Sequence, residues 1–333
     1  MKWQTKAIGL LLAALASSSV LADGRSAAHN LFSNLARARA SIGVNEATTL
    51  VGPTLVKGIY SLTNQQGRFV GFTNEAGTLF GDSRGFNLVA PNGSQPRPLN
   101  LGEIADLRGE VVAAIDIDKL PKITHGDGGG RRLVMFSAVD CPFCKVFEDN
   151  MRKQAADLNS TLYVVPSSLQ KINQGGAQQW QAVSRIWCAD DAGAAWQGFW
   201  ASRTIPQPRQ CRFADPRVAE LAEQQLRDVL MAVGVRVVGT PQFVREDGTI
   251  IVNKAEMNSA YIASTFGPAG APQPNTKPVR WLTASADDSF QMQPVGGQPV
   301  YQQPAPQQPQ QQKQQKQQFG INDALNLKKL LGK

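Results

Sequence analysis

Two histidines among 333 residues, His29 and His125, are too few for a clustered metal site. They also leave a Ser–His or Cys–His catalytic arrangement short of parts. Four cysteines offer one close pair, Cys141 and Cys144, and a four-cysteine zinc site needs a second. No metal and no cofactor are expected. Beyond residue 22 no stretch approaches the roughly 18 consecutive apolar residues of a membrane helix, so the mature chain reads as soluble. Concentrated charge is missing too. Of the formal +8, residues 1–22 carry +2 and residues 268–333 carry +4, which leaves +2 for the middle. No basic stripe with interleaved aromatics runs through that middle, which argues against nucleic acid as a partner.

The first 22 residues have the form of a secretory signal peptide. Lys2 and Lys6 supply the basic start, Ala7 to Ala16 a short apolar core, and Ser18-Ser19-Val20-Leu21-Ala22 the approach to a cut before Asp23. No cysteine lies near that cut, so a lipoprotein anchor is not expected. An exported chain with an even cysteine count is expected to use disulfides, and with prokaryote-like export its compartment is the periplasm.

Residues 23–100 are expected to form an N-terminal domain. Its first part is polar and alanine-rich, with a short helix through Leu31, Leu35 and Ala36. From Leu55 to Val89 come alternating segments, Ile59–Leu62, Arg68–Phe72 and Thr78–Phe80, separated by turn-forming Asn64-Gln65-Gln66-Gly67 and Asn74-Glu75-Ala76-Gly77. So small a meander buries too little alone and requires a partner surface, either the rest of the chain or a second subunit. Pro91-Asn92-Gly93-Ser94-Gln95-Pro96 breaks the pattern. Residues 101–114 favour a linker helix, a rod between domains, although Val111-Val112-Ala113-Ala114-Ile115 also suits a strand.

Residues 115–267 read as an α/β unit around one stretch. The apolar run Leu133 to Phe136 leads through a short turn into Cys141-Pro142-Phe143-Cys144, and Phe143, Val146, Phe147 and Met151 then recur at helical spacing. Cys141 falls at the start of that helix, where unpaired N–H groups and the dipole stabilise a thiolate, the nucleophile of disulfide exchange. Pro142 suits the first helical turn. A half zinc site and an inert disulfide remain open for two cysteines so spaced. A second strand, Leu162–Val165, is followed by a helical insertion whose Trp180, Trp187, Trp196 and Trp200 suit packing faces rather than a ligand cage. Next come a helix over 215–233 and a hairpin of Val237–Val244 and Thr249–Val252 around Glu246-Asp247-Gly248. Pro241 opens the first hairpin strand, where proline belongs to an edge or a special turn and a cis bond is available. Cys188 and Cys211, 23 positions apart, bracket the insertion; a second redox pair is the alternative to the favoured structural staple, worth roughly 3 kcal/mol on the chain-entropy argument. His125, in Thr124-His125-Gly126-Asp127-Gly128, reads as a solvated loop residue.

Together these residues resemble the bacterial periplasmic disulfide isomerases of the DsbC/DsbG type. The likeness lies in Phe136 through Lys145, Ile186-Trp187-Cys188-Ala189-Asp190-Asp191 with Ala195-Trp196, the lone Cys211, Gly239-Thr240-Pro241 and the approach Ile115-Asp116-Ile117-Asp118-Lys119-Leu120-Pro121. It covers about residues 50–265. The resemblance implies an α/β (overall α+β) thioredoxin-like fold with a helical insertion, preceded by a small cystatin-like dimerisation domain in a V-shaped homodimer. It also implies that Cys141 is an exposed nucleophile and Cys144 the resolving thiol. Thr240 and a cis Pro241 would hold a substrate strand, and Cys188–Cys211 would be a structural disulfide. The Pro-Phe between the active cysteines departs from the family's usual Gly-Tyr or Pro-Tyr and leaves the balance of isomerase, reductase and oxidase chemistry open.

The chain continues past the family's usual end as residues 268–333. Between Gln302 and Gln318 eleven of seventeen residues are Gln, a composition that implies disorder. Ile321 to Leu331 follow as a short apolar helix, either a frayed tail or a docking peptide for an envelope assembly. Two functions compete. One is a thiol–disulfide isomerase or reductase acting on exported proteins with non-native disulfides and kept reduced by a membrane thiol reductase of the DsbD type. The other is a dimeric thioredoxin-fold binding factor of a secretion or conjugation complex.

Overall fold

The computed structural model describes residues 24–154, 158–245, 248–252 and 259–266. The expected signal segment, the Glu246-Asp247 pair and the Gln-rich tail with its apolar end lie outside them.

The chain enters through a helix, α1, over residues 24–37, and continues into six short strands: β1 (Thr49–Pro53), β2 (Ile59–Asn64), β3 (Phe69–Asn74), β4 (Leu79–Asp82), β5 (Gly85–Leu88) and β6 (Arg97–Pro98). Each strand pairs antiparallel with the one before it, so the sheet is a plain meander. Its turns form where Asn and Gly place them. Gly67 and Gly77 have φ of +73° and +64°, and their N–H groups close onto Asn64 and Asn74. Gly77 has a second reason to lack a side chain, since a Cβ there would stand 2.1 Å from the Leu31 nitrogen of α1. Asn34 of α1 donates to the Gly77 carbonyl at 3.1 Å.

Alternation along the strands gives the sheet two apolar sides. Val51, Leu62 and Phe80 meet Leu31 and Leu35 of α1. Ile59, Phe72, Leu79 and Phe86 join the large core shared with the rest of the protein. The partner surface demanded by so small a meander therefore comes from the same chain on both sides.

After Asn100 caps it, helix α2 runs from Leu101 to Ala113. Asn100 and Glu103 form a reciprocal capping box, and Arg97 closes bidentately on the Glu103 carboxylate at 2.8 and 2.6 Å. The strand alternative for Val111–Ile115 is not realised. α2 does not cross open space as a rod. It lies along the later helix Pro216–Ala232, and Arg108 donates to the Val233 carbonyl just beyond that helix at 3.0 Å.

The second sheet comprises β7 (Lys122–His125), β8 (Arg131–Ala138), β9 (Ser160–Ser167), β10 (Gln242–Val244) and β11 (Ile250–Val252), in the order β11-β10-β8-β9-β7. Only β8 and β9 run parallel, joined by α3 (Pro142–Lys153); α4 (Ala177–Trp187), α5 (Ala192–Ser202), α6 (Pro216–Ala232) and α7 (Ser259–Phe266) complete the unit. β8 is central and six of its eight residues are buried. Phe243 of β10 packs on Phe147 of α3 and Phe266 of α7, with ring centroids 5.1 and 4.9 Å away. On β8, Phe136 lies under the Arg227 guanidinium of α6 at 4.8 Å. The four tryptophans of the insertion are all core residues, each less than 6% exposed.

His125 corrects the sequence reading. It ends β7, is 7% exposed, and burial lowers its pKa. The Gly126-Asp127-Gly128 that follows makes the segment look like a loop, but a four-residue edge strand precedes it. The β1 end of the meander is tied to this unit by Arg212, which donates to the Pro53 carbonyl at 2.6 Å, and by Lys57, which pairs with Asp116 at 3.2 Å.

Candidate active site

β8 ends at Ala138 and the chain reverses at once: the Cys141 N–H donates to the Ala138 carbonyl at 3.1 Å. Cys141 then takes the N-cap of α3, with Pro142 in its first turn. Its sulfur accepts the Cys144 backbone N–H at 3.4 Å, as the oxygen of an ordinary N-cap side chain does. As a thiol it donates to the Thr240 carbonyl at 3.3 Å. Thr240 and Pro241 reach the sulfur from the other end of the domain, across a cis peptide bond. The nucleophile implied to be exposed is instead 3% exposed, because the Thr240 segment covers it, while its neighbours Pro142 and Phe143 face solvent.

Cys144 lies one helical turn deeper and is fully buried. Desolvation pushes its pKa up to about 12, and the neighbouring Cys141 adds to the rise. Hydrogen-bond donors at Ser137, the Ala138 backbone and Thr240 oppose it. The Ser137 and Thr240 hydroxyl oxygens are buried and have no other partner among the described residues.

The buried face of α3 differs from the one expected. Phe147 and Met151 are buried, but Phe143 and Val146 are 62% and 50% exposed, and the inward positions are Cys144 and Glu148. Glu148 accepts the Trp196 indole N–H, and burial raises its pKa to about 7. Cys188 and Cys211 are bonded to each other, closing the segment that contains α5. Among the described residues no cluster of His, Cys, Asp or Glu has a metal-holding arrangement, and no helix is long and apolar enough to cross a membrane.

Three supporting residues escaped the sequence reading. Gln242 accepts the N–H groups of Val238 and Gly239 at 2.8 and 3.0 Å and donates to the Arg236 carbonyl at 3.0 Å, so one buried amide shapes the loop that delivers Thr240. Asp140 accepts the Leu169 N–H at 2.8 Å and the Ser168 hydroxyl at 3.0 Å, which pins the cysteine turn to the end of β9. Arg203 donates to the Val139 carbonyl at 3.2 Å. Only adjacency marked the first two, one next to Pro241 and the other next to Cys141; Arg203 carried no signal.

Fold and site together define a thioredoxin-like domain with a helical insertion, preceded by a six-stranded antiparallel sheet. The model of the thioredoxin-like domain family matches residues 121–262. Among solved structures the chain is similar to a disulfide interchange protein from Neisseria gonorrhoeae, with 23% identity, 46% of this chain and 98% of that one covered, and a TM-score of 0.33. It is also similar to a linker-deletion variant of Proteus mirabilis ScsC, with 16% identity, 49% and 82% covered, and a TM-score of 0.34. No curated protein sequence matches the chain significantly.

Proposed function

We propose that the protein is a periplasmic thiol–disulfide oxidoreductase that reshuffles or reduces disulfides of exported proteins through Cys141 and Cys144. The observation that carries this reading is the unequal setting of two thiols within one helical turn. Cys141 caps the helix, its sulfur accepting the Cys144 N–H and facing the Thr240 carbonyl. Cys144 is held as a thiol by a pKa near 12.

In the proposed reaction the Cys141 thiolate attacks one sulfur of a substrate disulfide. A new S–S bond forms, the substrate bond breaks, and the second substrate sulfur leaves as a thiolate. That thiolate can attack another substrate disulfide and free a different sulfur. A substrate thiolate then attacks the substrate-side sulfur of the mixed disulfide, a new substrate S–S bond forms, and Cys141 leaves as a thiolate, which completes isomerisation. Alternatively Cys144, after losing its proton, attacks the Cys141 sulfur; the substrate leaves reduced and the protein keeps a Cys141–Cys144 disulfide. A membrane thiol reductase of the DsbD type would return that disulfide to two thiols. Thr240 and Pro241 would receive an extended substrate segment, the Thr240 carbonyl exchanging the Cys141 thiol for a substrate N–H. Cys188–Cys211 stays outside this chemistry as a staple.

The roles of signal peptide 1–22 and of a homodimer belong to the same proposal. Among the described residues β1 pairs on one side only and exposes Leu50 by 56%, an edge available to a second copy. Dimerisation would set two Cys141 sites around one substrate.

Trapping tests the proposal. Cys144→Ser should accumulate mixed disulfides with exported proteins and Cys141→Ser should accumulate none, while the intact protein should recover activity from a scrambled multi-disulfide substrate. Equal trapping by both variants, or no exchange by the intact protein, overturns the reading. Light scattering tests the dimer separately.

A further inference from the structure

Because Cys141 bonds back to Ala138, Val139 and Asp140 are the central residues of a β-turn. The peptide between them has two orientations, which distinguish turn types I and II, and the bond that closes the turn does not choose between them. External partners do so here. The Val139 N–H donates to the Ser167 carbonyl at 2.9 Å, the Asp140 carboxylate holds Ser168 and Leu169, and the Val139 carbonyl accepts Nη1 of Arg203 at 3.2 Å. Of these partners, only Arg203 grips the central peptide by its oxygen.

Arg203 is an expensive residue for its position. It ends α5 with φ 59° and ψ 20°, a left-handed cap where glycine is the usual occupant and a side chain costs about 1 kcal/mol. Its backbone role, an N–H donated to Phe199, needs no side chain at all. The side chain is nevertheless held in place. Its guanidinium lies 4.9 Å from the Phe199 ring centroid and 4.5 Å from that of Trp200, two buried aromatics, and this stacking leaves Nη1 on Val139. The segment bearing it is fixed beyond α5 by Arg209 on Asp190 and by the Cys188–Cys211 bond.

We infer that Arg203 is a positioning residue for Cys141, holding the turn's central peptide in one orientation and a guanidinium charge on the carbonyl two residues before the sulfur. The inference rests on Cys141 being the attacking thiol. A residue kept only to cap α5 is replaced by glycine with a gain, since glycine relieves the backbone. A residue kept for its reach to Val139 is not.

The test uses Arg203→Gly and Arg203→Lys in the full chain, each with Cys144→Ser so that Cys141 alkylation is read alone. Lysine retains a charge and a donor along with the unfavourable backbone; glycine does the reverse. Arg203→Gly should melt close to the parent temperature, backbone relief offsetting the lost stacking and hydrogen bond, yet alkylate Cys141 three- to tenfold more slowly at pH 7, corresponding to about 1 kcal/mol. Arg203→Lys should alkylate within twofold of the parent. With Cys144 restored, the equilibrium of the glycine variant with glutathione should move toward the protein disulfide by a similar factor, because its reduced form has lost stabilisation. A glycine variant alkylating within twofold of the parent, or a lysine variant as slow as the glycine one, overturns the inference. Failure of the functional reading would show separately, as an Arg203-containing protein that traps no substrate.

Discussion

Trp196 donates its indole N–H to Glu148 at 2.7 Å, and the two residues are 0% and 8% exposed. This carboxyl is unusual, since it shares the inward face of α3 with Cys144 and burial raises its pKa to about 7. Arg152 opposes that rise and Asp149 adds to it.

The first prediction is a pH-dependent stability set by Glu148. Unfolded, the group titrates near 4.5; folded, near 7. The folded chain therefore binds this proton more tightly, and the contribution is complete below pH 4.5, falls as pH rises, and is gone above 7. Glu148→Gln should match the parent at low pH and exceed it above neutrality by on the order of 3 kcal/mol. Urea midpoints at pH 4.5 and pH 8 decide the matter; equal pH dependence in both proteins refutes it.

A second prediction concerns Ser137, whose buried hydroxyl lowers the pKa of Cys144 against the effect of burial. Ser137→Ala should slow resolution of a mixed disulfide by Cys144 about fivefold, the worth of one such bond of roughly 1 kcal/mol. The initial attack by Cys141 should change less than twofold. Single-turnover kinetics separate the two steps, and an unchanged resolution rate rules out the hydroxyl's role.

The cysteine turn was legible in the sequence because a strand, a turn and a helix start are all local signals. The inward face of α3 was not. Phe143, Val146, Phe147 and Met151 satisfy the helical period, but Phe143 and Val146 are exposed, and Cys144 and Glu148 take the buried positions beside Phe147 and Met151. A glutamate among such residues reads as solvent-facing, and its hydrogen-bond partner Trp196 lies 48 positions away. The hairpin at Pro241 was visible from its turn and apolar runs, whereas β10 is only Gln242–Val244 because Gln242 spends its side chain on the preceding loop. Gly71 illustrates a fact hidden from any pattern: a Cβ there would stand 2.7 Å from the Gly81 carbonyl oxygen.

For the staple, replacing Cys188 and Cys211 together by serine should cost roughly 3 kcal/mol through the freed unfolded chain. The variant should still fold, since Trp187 stacks on Phe213 with centroids 4.3 Å apart and holds the same two segments together. A denaturant midpoint equal to that of the parent contradicts this expectation.

The last prediction sets a boundary near residue 267. Phe266 is fully buried against Phe147 and Phe243. Phe266→Ala should cost about 3–5 kcal/mol, as large aromatic truncations in cores do, and shortening the chain to residue 258 should cost at least as much. Shortening it to residue 267 should leave the melting temperature unchanged. A large drop on that milder truncation would show that the tail packs on the domain.

The meander pairs each strand with its predecessor, while the site is closed by β10 returning to pair with β8 from far along the chain. Local pairings form early and distant ones late, so Thr240 reaches Cys141 only after nearly all of the domain has been synthesised. Cys188 emerges 23 residues before Cys211, and for that interval the other cysteines already present are Cys141 and Cys144. If the chain is oxidised while it grows, pairing of Cys188 with Cys141 or Cys144 is open to it before the pairing with Cys211. In the folded chain Cys188 is buried at the end of α4, which packs on β9, and its sulfur is taken by Cys211.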